Sequence, residues 1–372
     1  MGKSKHIVLT VTNDLNYDQR MIRICTSLVS AGYQVTLIGF KRKKSKPLIE
    51  RPFQQVRLPI IAEQGKLLYA GYWFLLFFYL LFKRFDAICA IDLDTILPDY
   101  YAARIKGKPY IYDAHELFTE MKEVVTRPSV KRMWEWIEHH TVPQCKYNYT
   151  VGEYCALYFK EKYNKDFDVV RNATVLRPLT IPEKKEKYIL YQGWVNEGRC
   201  FEELIPAMQF VDAKLIVCGG GNFFAQAQEL AVKYGVHDKI IFKGFVPPDN
   251  LKQYTINAYI GLTLFHAISK SNEYSLANRF FDYIHNGVPQ VCMNFPEYIK
   301  VNERYEIGTL INDPMTPEEI AEALNRLLND TAYYNRLQQN CLQAREHYCW
   351  QNEEKTLLKV WRDVFNTKTS GR

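Results

Sequence analysis

The chain has 372 residues, of which 47% are apolar and 24% charged, with a formal charge of +7. That balance excludes a disordered chain, and at roughly 150 residues per domain the length predicts two domains. Nine cysteines occur with no CxxC pair and no Cys/His cluster along the sequence. Neither a zinc site nor a disulfide framework is indicated, so no metal is expected.

The first stretch, MGKSKHIVLTVTND, reads as an opening β-strand and not as an export signal, which predicts a reduced, cytoplasmic protein. Charge is uneven: residues 1–185 carry 29 basic and 19 acidic side chains, the rest 19 and 22. The first half is therefore expected to meet an anionic partner. A membrane surface suits it better than nucleic acid, because the basic residues are not interleaved with stacking aromatics; no nucleic-acid partner is expected.

In chain order, an apolar run Ile7–Val11 precedes a polar loop, Thr12–Asp18. Met21, Ile24, Cys25 and Leu28 then share one helical face, with Gly32 as its stop and a strand at Val35–Phe40. This β–loop–α–β unit implies a parallel sheet with right-handed crossovers. Further strands are predicted at 87–91, 110–112 and 147–151. Residues 173–187, with two prolines and a charge run, read as a hinge.

The alternation then restarts: strand 188–192, helix 201–210, strand 214–218 ending in Gly219–Gly221, strand 239–243 ending in Gly244, and strand 259–265 opening at His266. An amphipathic helix follows Trp350, carrying Leu357, Leu358, Trp361 and Val364. The expected fold class is α/β: two Rossmann-like domains facing each other across a cleft, with the last helix packing across the boundary. Ligands of such sheets bind beyond the carboxyl ends of the strands. The divisions are residues 1–175, a hinge at 176–187, a second domain at 188–350, and a crossover helix with tail at 351–372.

The most informative segment is SNEYSLANRFFDYIHNGVP, residues 271–289. Leu276, Phe280 and Ile284 form an apolar face, while Ser275, Asn278 and Asp282 form a polar stripe on another. Gly287 and Pro289 end the helix. Amides near Ala277, Asn278 and Arg279 would meet a diphosphate, aided by the helix dipole, and Asp282 would accept from ribose hydroxyls. Taken alone, such a stripe is more often a solvated helix face.

The run Asn278-Arg279-Phe280-Phe281-Asp282-Tyr283 resembles the helix that carries the second acid of the E-x7-E motif in retaining glycosyltransferases of family 4. These have the two-domain GT-B fold. The resemblance gives Asp282 the ribose-binding role. Tyr274 stands eight residues before it, and the adjacent Glu273 is the only acid at the first motif position.

Other stretches resemble the same family. Tyr191-Gln192-Gly193 with Asn196-Glu-Gly-Arg199 is similar to the loop whose basic residues grip the donor diphosphate. Arg199 matches the second basic position, and Trp194 replaces the first. Gly219 belongs to a strand-terminal glycine run, and Gly244-Phe245-Val246 to the loop against the nucleotide base. Tyr112-Asp113-Ala-His115-Glu116 and Asp92-Leu-Asp94 resemble strand-end motifs of one subgroup, as does the loop from Thr12 through Asn13, Asp14 and Asp18 to Arg20.

The resemblance implies His115 and Glu273 at the reacting sugar, and Asn13, Asp14, Arg20 and Glu116 on the acceptor side. Asp113 or Glu116 would fix the His115 tautomer. The implied reaction is metal-independent, cofactor-free transfer from a nucleotide-diphosphate sugar, with retention and without an enzymic nucleophile. A nucleotide-sugar 2-epimerase and a non-catalytic nucleotide-sugar-binding protein are the alternatives on this fold.

Leu67–Phe82 is sixteen residues without a charge. As a helix it would measure ~24 Å against a hydrocarbon core of ~30 Å, which is short for a span. Its flanking Lys66, Lys83 and Arg84 and the basic run Lys41–Lys44 suit an anionic membrane surface. The alternative is a helix covered by its neighbours. Membrane contact would make the acceptor lipid-linked, as in surface polysaccharide or glycolipid assembly, and the protein peripheral on the inner membrane face; otherwise the acceptor is a saccharide.

Overall fold

The computed structural model describes residues 4–60, 62–182 and 186–366. Part of the expected hinge (183–185) and the end of the tail (367–372) lie outside these residues. The chain divides into two compact units, residues 1–171 with 353–372, and residues 172–352.

The first unit contains β1 (His6–Thr10), α1 (Gln19–Ser30), β2 (Gln34–Lys41), β3 (Gln54–Pro59), α2 (Gly65–Phe82), β4 (Ala87–Ile91) and α3 (Leu93–Lys106). It continues with β5 (Tyr110–Ala114), α4 (Lys122–Val125), α5 (Pro128–Thr141), β6 (Tyr147–Thr150), α6 (Glu153–Tyr163) and β7 (Asp168–Val169). Its strands form one parallel sheet in the order β3-β2-β1-β4-β5-β6-β7. β4 is wholly apolar and β1 is apolar from Ile7 to Leu9 because helices cover both faces of the sheet, which leaves no solvent side for an alternating pattern.

The second unit contains β8 (Tyr188–Gln192), α7 (Phe201–Ala207), β9 (Lys214–Cys218), α8 (Phe224–Lys233), β10 (Ile240–Gly244), α9 (Pro248–Asn257), β11 (Ile260–Thr263) and α10 (Lys270–Glu273). Then follow α11 (Asn278–His285), β12 (Gln290–Met293), α12 (Pro296–Tyr305), β13 (Gly308–Ile311), α13 (Pro317–Asn329) and α14 (Thr331–His347). The parallel order is β10-β9-β8-β11-β12-β13. Each sheet reverses direction of strand progression beside its first strand, between β1 and β4 and between β8 and β11. Ligand sites of open α/β sheets sit at that switch.

The expected hinge needs correction. The units divide at Arg171/Asn172, and the following segment packs within the second unit. Thr174 donates to Asp282 (2.8 Å), the Leu176 amide donates to Gln351 (2.9 Å), and Arg345 donates to the Arg177 carbonyl. The last helix, α15 (Trp350–Asn366), starts in the second unit and runs on in the first. There Trp361 is fully buried, Phe365 lies against Tyr33, and Glu353 accepts from the Arg171 amide (2.8 Å).

The predicted helix at residues 271–289 is also interrupted. α10 ends at Glu273 and α11 begins at Asn278, so Ser275 sits in the connection rather than on a helical stripe. There its hydroxyl donates to the Asn272 carbonyl (2.8 Å).

Candidate functional site

In the second unit, the ends of β8 and β9 run on together past the sheet. The Gly193 amide donates to the Cys218 carbonyl (3.0 Å) and the Val195 amide to that of Gly220 (2.9 Å). The backbones approach so closely that a Cβ on Gly219 would overlap the Gly193 carbonyl oxygen. Only glycine fits there. Phe245, next to Gly219's bridge partner Gly244 in the base-side loop, is mostly exposed, whereas Val246 packs on a small core with Tyr188, Leu190 and Tyr283. Trp194 is 67% exposed.

Two guanidiniums meet one aromatic ring at this sheet end. Arg199 lies 5.5 Å and Arg279 6.0 Å from the Phe265 centroid, and Arg279 also lies 5.0 Å from that of Tyr191. Arg279 is 8% exposed and donates weakly to the carbonyls of Gln192 (3.5 Å) and Leu264 (3.4 Å). Its buried Nε has no partner among the described residues. The sequence reading used only the amide of Arg279; the structure adds its side chain. The signal was the basic residue next to Asn278, the one charge set between the apolar and polar faces.

The start of α11 differs from expectation at one amide. Ala277 N–H donates to the Tyr298 hydroxyl (3.0 Å) and is not offered to a ligand. No side chain caps this helix, which leaves its N-terminal dipole uncompensated by an acceptor side chain. Asn278 accepts from Asn172 (2.5 Å).

Asp282 is already engaged, accepting from Thr174 (2.8 Å) and from Gln192 Nε2 (3.0 Å). These bonds orient the carboxylate. Glu273 is partly buried and its carboxylate has no hydrogen-bond or ion-pair partner among the described residues.

Behind Arg199 lies a cluster that the sequence did not disclose. Cys200, Glu203 and His266 place their Sγ, carboxylate and ring nitrogen atoms within 4.8 Å of one another. His266 Nδ1 is 2.7 Å from Asp313, and Nε2 is 3.4 Å from Glu203. Hydrogen bonds to Cys200 and Glu203, opposed by burial and joined by Asp313, push the imidazole pKa up to about 11. No sequence spacing announces this cluster, because its residues converge only in space, from α7 and the loop after β11.

In the first unit, the loop after β1 and the ends of β4 and β5 build a buried charge chain. Arg20 is 3% and Asp113 0% exposed, joined at 2.8 Å, and Arg20 also donates to the Val170 carbonyl (2.7 Å). Asp113 in turn accepts from His115 Nε2 (2.9 Å). Asp92, held at the positive φ of 57°, accepts the His115 amide (2.8 Å) and faces Nδ1 at 3.9 Å. Burial opposes the charged imidazole, but Asp113 and Asp92 outweigh it and raise its pKa. Burial likewise works against Asp113, yet Arg20 and His115 hold it below the usual carboxylate range. Burial and the neighbouring Asp92 push Asp94 to about 8, and Thr12 donates to it.

Arg20, expected on the acceptor side, is buried: its guanidinium pairs with Asp113 and donates to the Val170 carbonyl, which holds that carboxylate against His115. Asn13 is half-buried: its amide donates to Asp18 (2.7 Å) and its oxygen accepts from the Leu15 amide (2.8 Å). Asp14 accepts from Ser45 at 3.4 Å. Asp113 fixes the His115 ring, while Glu116 is exposed.

Comparison with known proteins bears on the family and the fold. Residues 19–176 match the model of Glycosyltransferase Family 4, and residues 176–343 that of glycosyl transferases group 1. An uncharacterized glycosyltransferase of Methanocaldococcus jannaschii is 25% identical over 182 residues, 48% of this chain and 45% of the relative. The match thus spans about half the length of that curated relative.

Among solved structures, sucrose-phosphate synthase from Thermosynechococcus elongatus superposes with a TM-score of 0.81 at 15% identity, covering 98% of this chain and all of the other. Anabaena HepE in complex with UDP-glucose gives 0.77 at 13%, covering 96% and 100%. WaaG, a glycosyltransferase involved in lipopolysaccharide biosynthesis, gives 0.71 at 15%, covering 97% and 100%. At these identities the likeness shows the fold. With two glycosyltransferase family models end to end over residues 19–343 and two parallel Rossmann-like sheets, the chain is a GT-B glycosyltransferase by domain make-up and fold.

Proposed function

We propose that the chain transfers a sugar from a nucleoside-diphosphate sugar to an acceptor hydroxyl with retention at the anomeric carbon. The observation that carries this reading is the pair Arg199 and Arg279 over the Phe265 ring, beside the uncapped start of α11 and at the switch point of the second sheet. Guanidiniums suit phosphate oxygens because their donors form a fixed fork. Together they supply the charge that stabilises a departing diphosphate, so the step is metal-independent in this reading. Asp282, oriented by Thr174 and Gln192, takes the ribose hydroxyls, and Glu273 the donor sugar.

In the transfer, the bond from the anomeric carbon to the phosphate oxygen breaks as the acceptor oxygen attacks from the same face. The acceptor proton passes to the departing phosphate, which leaves no need for an enzymic nucleophile. His115, whose pKa Asp113 and Asp92 raise against the effect of burial, is assigned to the acceptor chemistry of the first unit. Because HepE is described with UDP-glucose, uridine diphosphate sugars are the first donors to test.

The acceptor is proposed to be lipid-linked. Leu67, Ala70, Phe74, Phe78 and Phe82 form an outward stripe of α2 at three- and four-residue spacing, opposite buried Tyr72, Leu76 and Leu80. Lys41–Lys44 are solvated at the N-terminal end of the helix, where Lys43 N–H donates to Glu63 (2.7 Å). An apolar stripe flanked by lysines suits an anionic interface, and the protein would be peripheral to it.

The test is calorimetric titration of the full chain with uridine, guanosine and adenosine diphosphates, paired with transfer of radiolabelled sugar to a membrane extract. Arg199→Ala and Asp282→Ala should each weaken diphosphate binding by about 10-fold or more. Unchanged affinity in both would remove the donor site. Tight binding with no transfer to any extract would support the non-catalytic alternative.

A further inference from the structure

The loop that presents Arg199 ends at Cys200, which opens α7 at a φ of 58°, in the left-handed region that side chains rarely adopt. Such a conformation in a non-glycine residue persists only where the surroundings impose it. What it achieves here is to set Sγ, fully buried, over the first turn of α7, where Glu203 follows at three-residue spacing on the same face. His266 approaches from the loop after β11, fixed by its own amide donating to the Gly198 carbonyl (2.9 Å). A soft thiolate, a borderline imidazole and a hard carboxylate, from the start of α7 and the loop after β11, are thereby brought to one point.

We propose that Cys200, Glu203 and His266 form a binding site for a divalent transition-metal cation of the zinc class, with one position open to water. The donor set is of the right kind: thiolate, imidazole and carboxylate are the three protein ligands of Zn2+. Their mutual separations, all within 4.8 Å, need to close by about 1 Å, since ligands at ~2.0–2.3 Å from a tetrahedral ion lie ~3.3–3.8 Å apart.

Two further observations point to a ligand. Glu203 Oε2 is buried, and among the described residues it has no nearer partner than His266 Nε2 at 3.4 Å, a long contact that leaves acceptor capacity facing the cluster. Asp313 takes His266 Nδ1 at 2.7 Å and is itself held by the Ala267 amide (2.7 Å). That bond fixes the ring and directs Nε2 at Cys200 and Glu203. A carboxylate behind a histidine is how metal-bound imidazoles are oriented, with the other nitrogen left for the ion.

The cluster also has an excess of negative charge around one imidazole, a balance that a dication replaces better than a shared proton does. His266 and Glu203 keep about a quarter of their side-chain surface in contact with solvent, so an ion can reach them. The site is separate from sugar-transfer chemistry and stands whether or not that activity is confirmed. Its effect would be structural, tying the loop that carries Arg199 to the loop after β11.

The experiment is titration of chelator-treated full-length chain with Cd2+, following the ultraviolet thiolate-to-metal absorption, then displacement by Zn2+. One equivalent should produce the band, and Zn2+ should abolish it. Cys200→Ser should remove it, while Cys218→Ser, at another buried cysteine, should retain it. Asp313→Asn should weaken Zn2+ binding by about 10–100-fold. Far-ultraviolet circular dichroism of each variant confirms folding. A wild-type chain that gives no band at one equivalent, or a folded Cys200→Ser that keeps it, overturns the proposal.

Discussion

Replacing Arg20 by Met tests whether the charge chain of the first unit is organised around that guanidinium. Its partner Asp113 is completely buried, and the ion pair is 2.8 Å long. Removing the cation leaves a buried carboxylate with His115 alone, and breaking a buried pair in this way costs about 3–5 kcal/mol. For a unit of this size each kcal/mol moves the midpoint by roughly 2–4 °C, so a loss of about 6–20 °C is expected. Pairing Arg20→Met with Asp113→Asn should recover much of it, because two neutral groups no longer require compensation. Urea unfolding followed by circular dichroism and tryptophan fluorescence measures all four proteins of the cycle. A single-variant loss below about 1 kcal/mol, or a double variant no more stable than the single, would show that the pair does not hold the site.

The pH dependence of stability follows from two shifts of opposite sign. Asp113 is lowered, so its contribution is complete above the ordinary carboxylate pKa and disappears as pH falls through the folded value. His115 is raised, so its contribution is complete below about 6.5 and is lost as pH rises through its folded value. His115→Gln should therefore remove a decline on the alkaline side of the stability profile; an identical profile contradicts the assignment. Phe74→Glu with Phe78→Glu should reduce co-sedimentation with vesicles containing anionic lipid, and wild-type chain that stays in the supernatant refutes membrane docking. Gly219→Ala should destabilise the second unit by about 1–3 kcal/mol through overlap with the Gly193 carbonyl, measured by the shift in urea midpoint, and no shift would show that the strand ends can separate.

The long apolar strands were legible because parallel sheets covered on both faces write themselves as continuous runs, as Ala87–Ile91 and Lys214–Cys218 do. β3 was not, since Gln54, Gln55 and Arg57 lie on an edge strand with solvent access. β12 and β13, with four residues each, are too short to show a period. Asp282 and Arg199 could be singled out by spacing and strand-end position. The buried role of Arg20 could not, because its partner Asp113 stands 93 residues away and no local pattern separates an inward arginine from a surface one. The same holds for Cys200 and His266, which meet only because β8 and β11 are neighbours. Nor does periodicity reveal that α10 and α11 are separate helices, since the four-residue spacing of Leu276, Phe280 and Ile284 runs unbroken from the connection into α11.

The path of the chain through the two units has a consequence for how the molecule is made. The first unit is left at Arg171 and regained at Glu353, while the two strands of backbone at this crossing are bonded to each other, Trp350 N–H to the Thr174 carbonyl at 2.9 Å. The second unit is thus a loop closed at its own base, complete once residue 352 has emerged during synthesis. The first cannot bury Trp361 until the final helix arrives, so the portion translated earliest is the last to finish. Residues 172–352 should accordingly be obtainable as a soluble fragment, whereas a chain stopped at Arg171 would expose the surface that Leu357, Val360 and Trp361 cover.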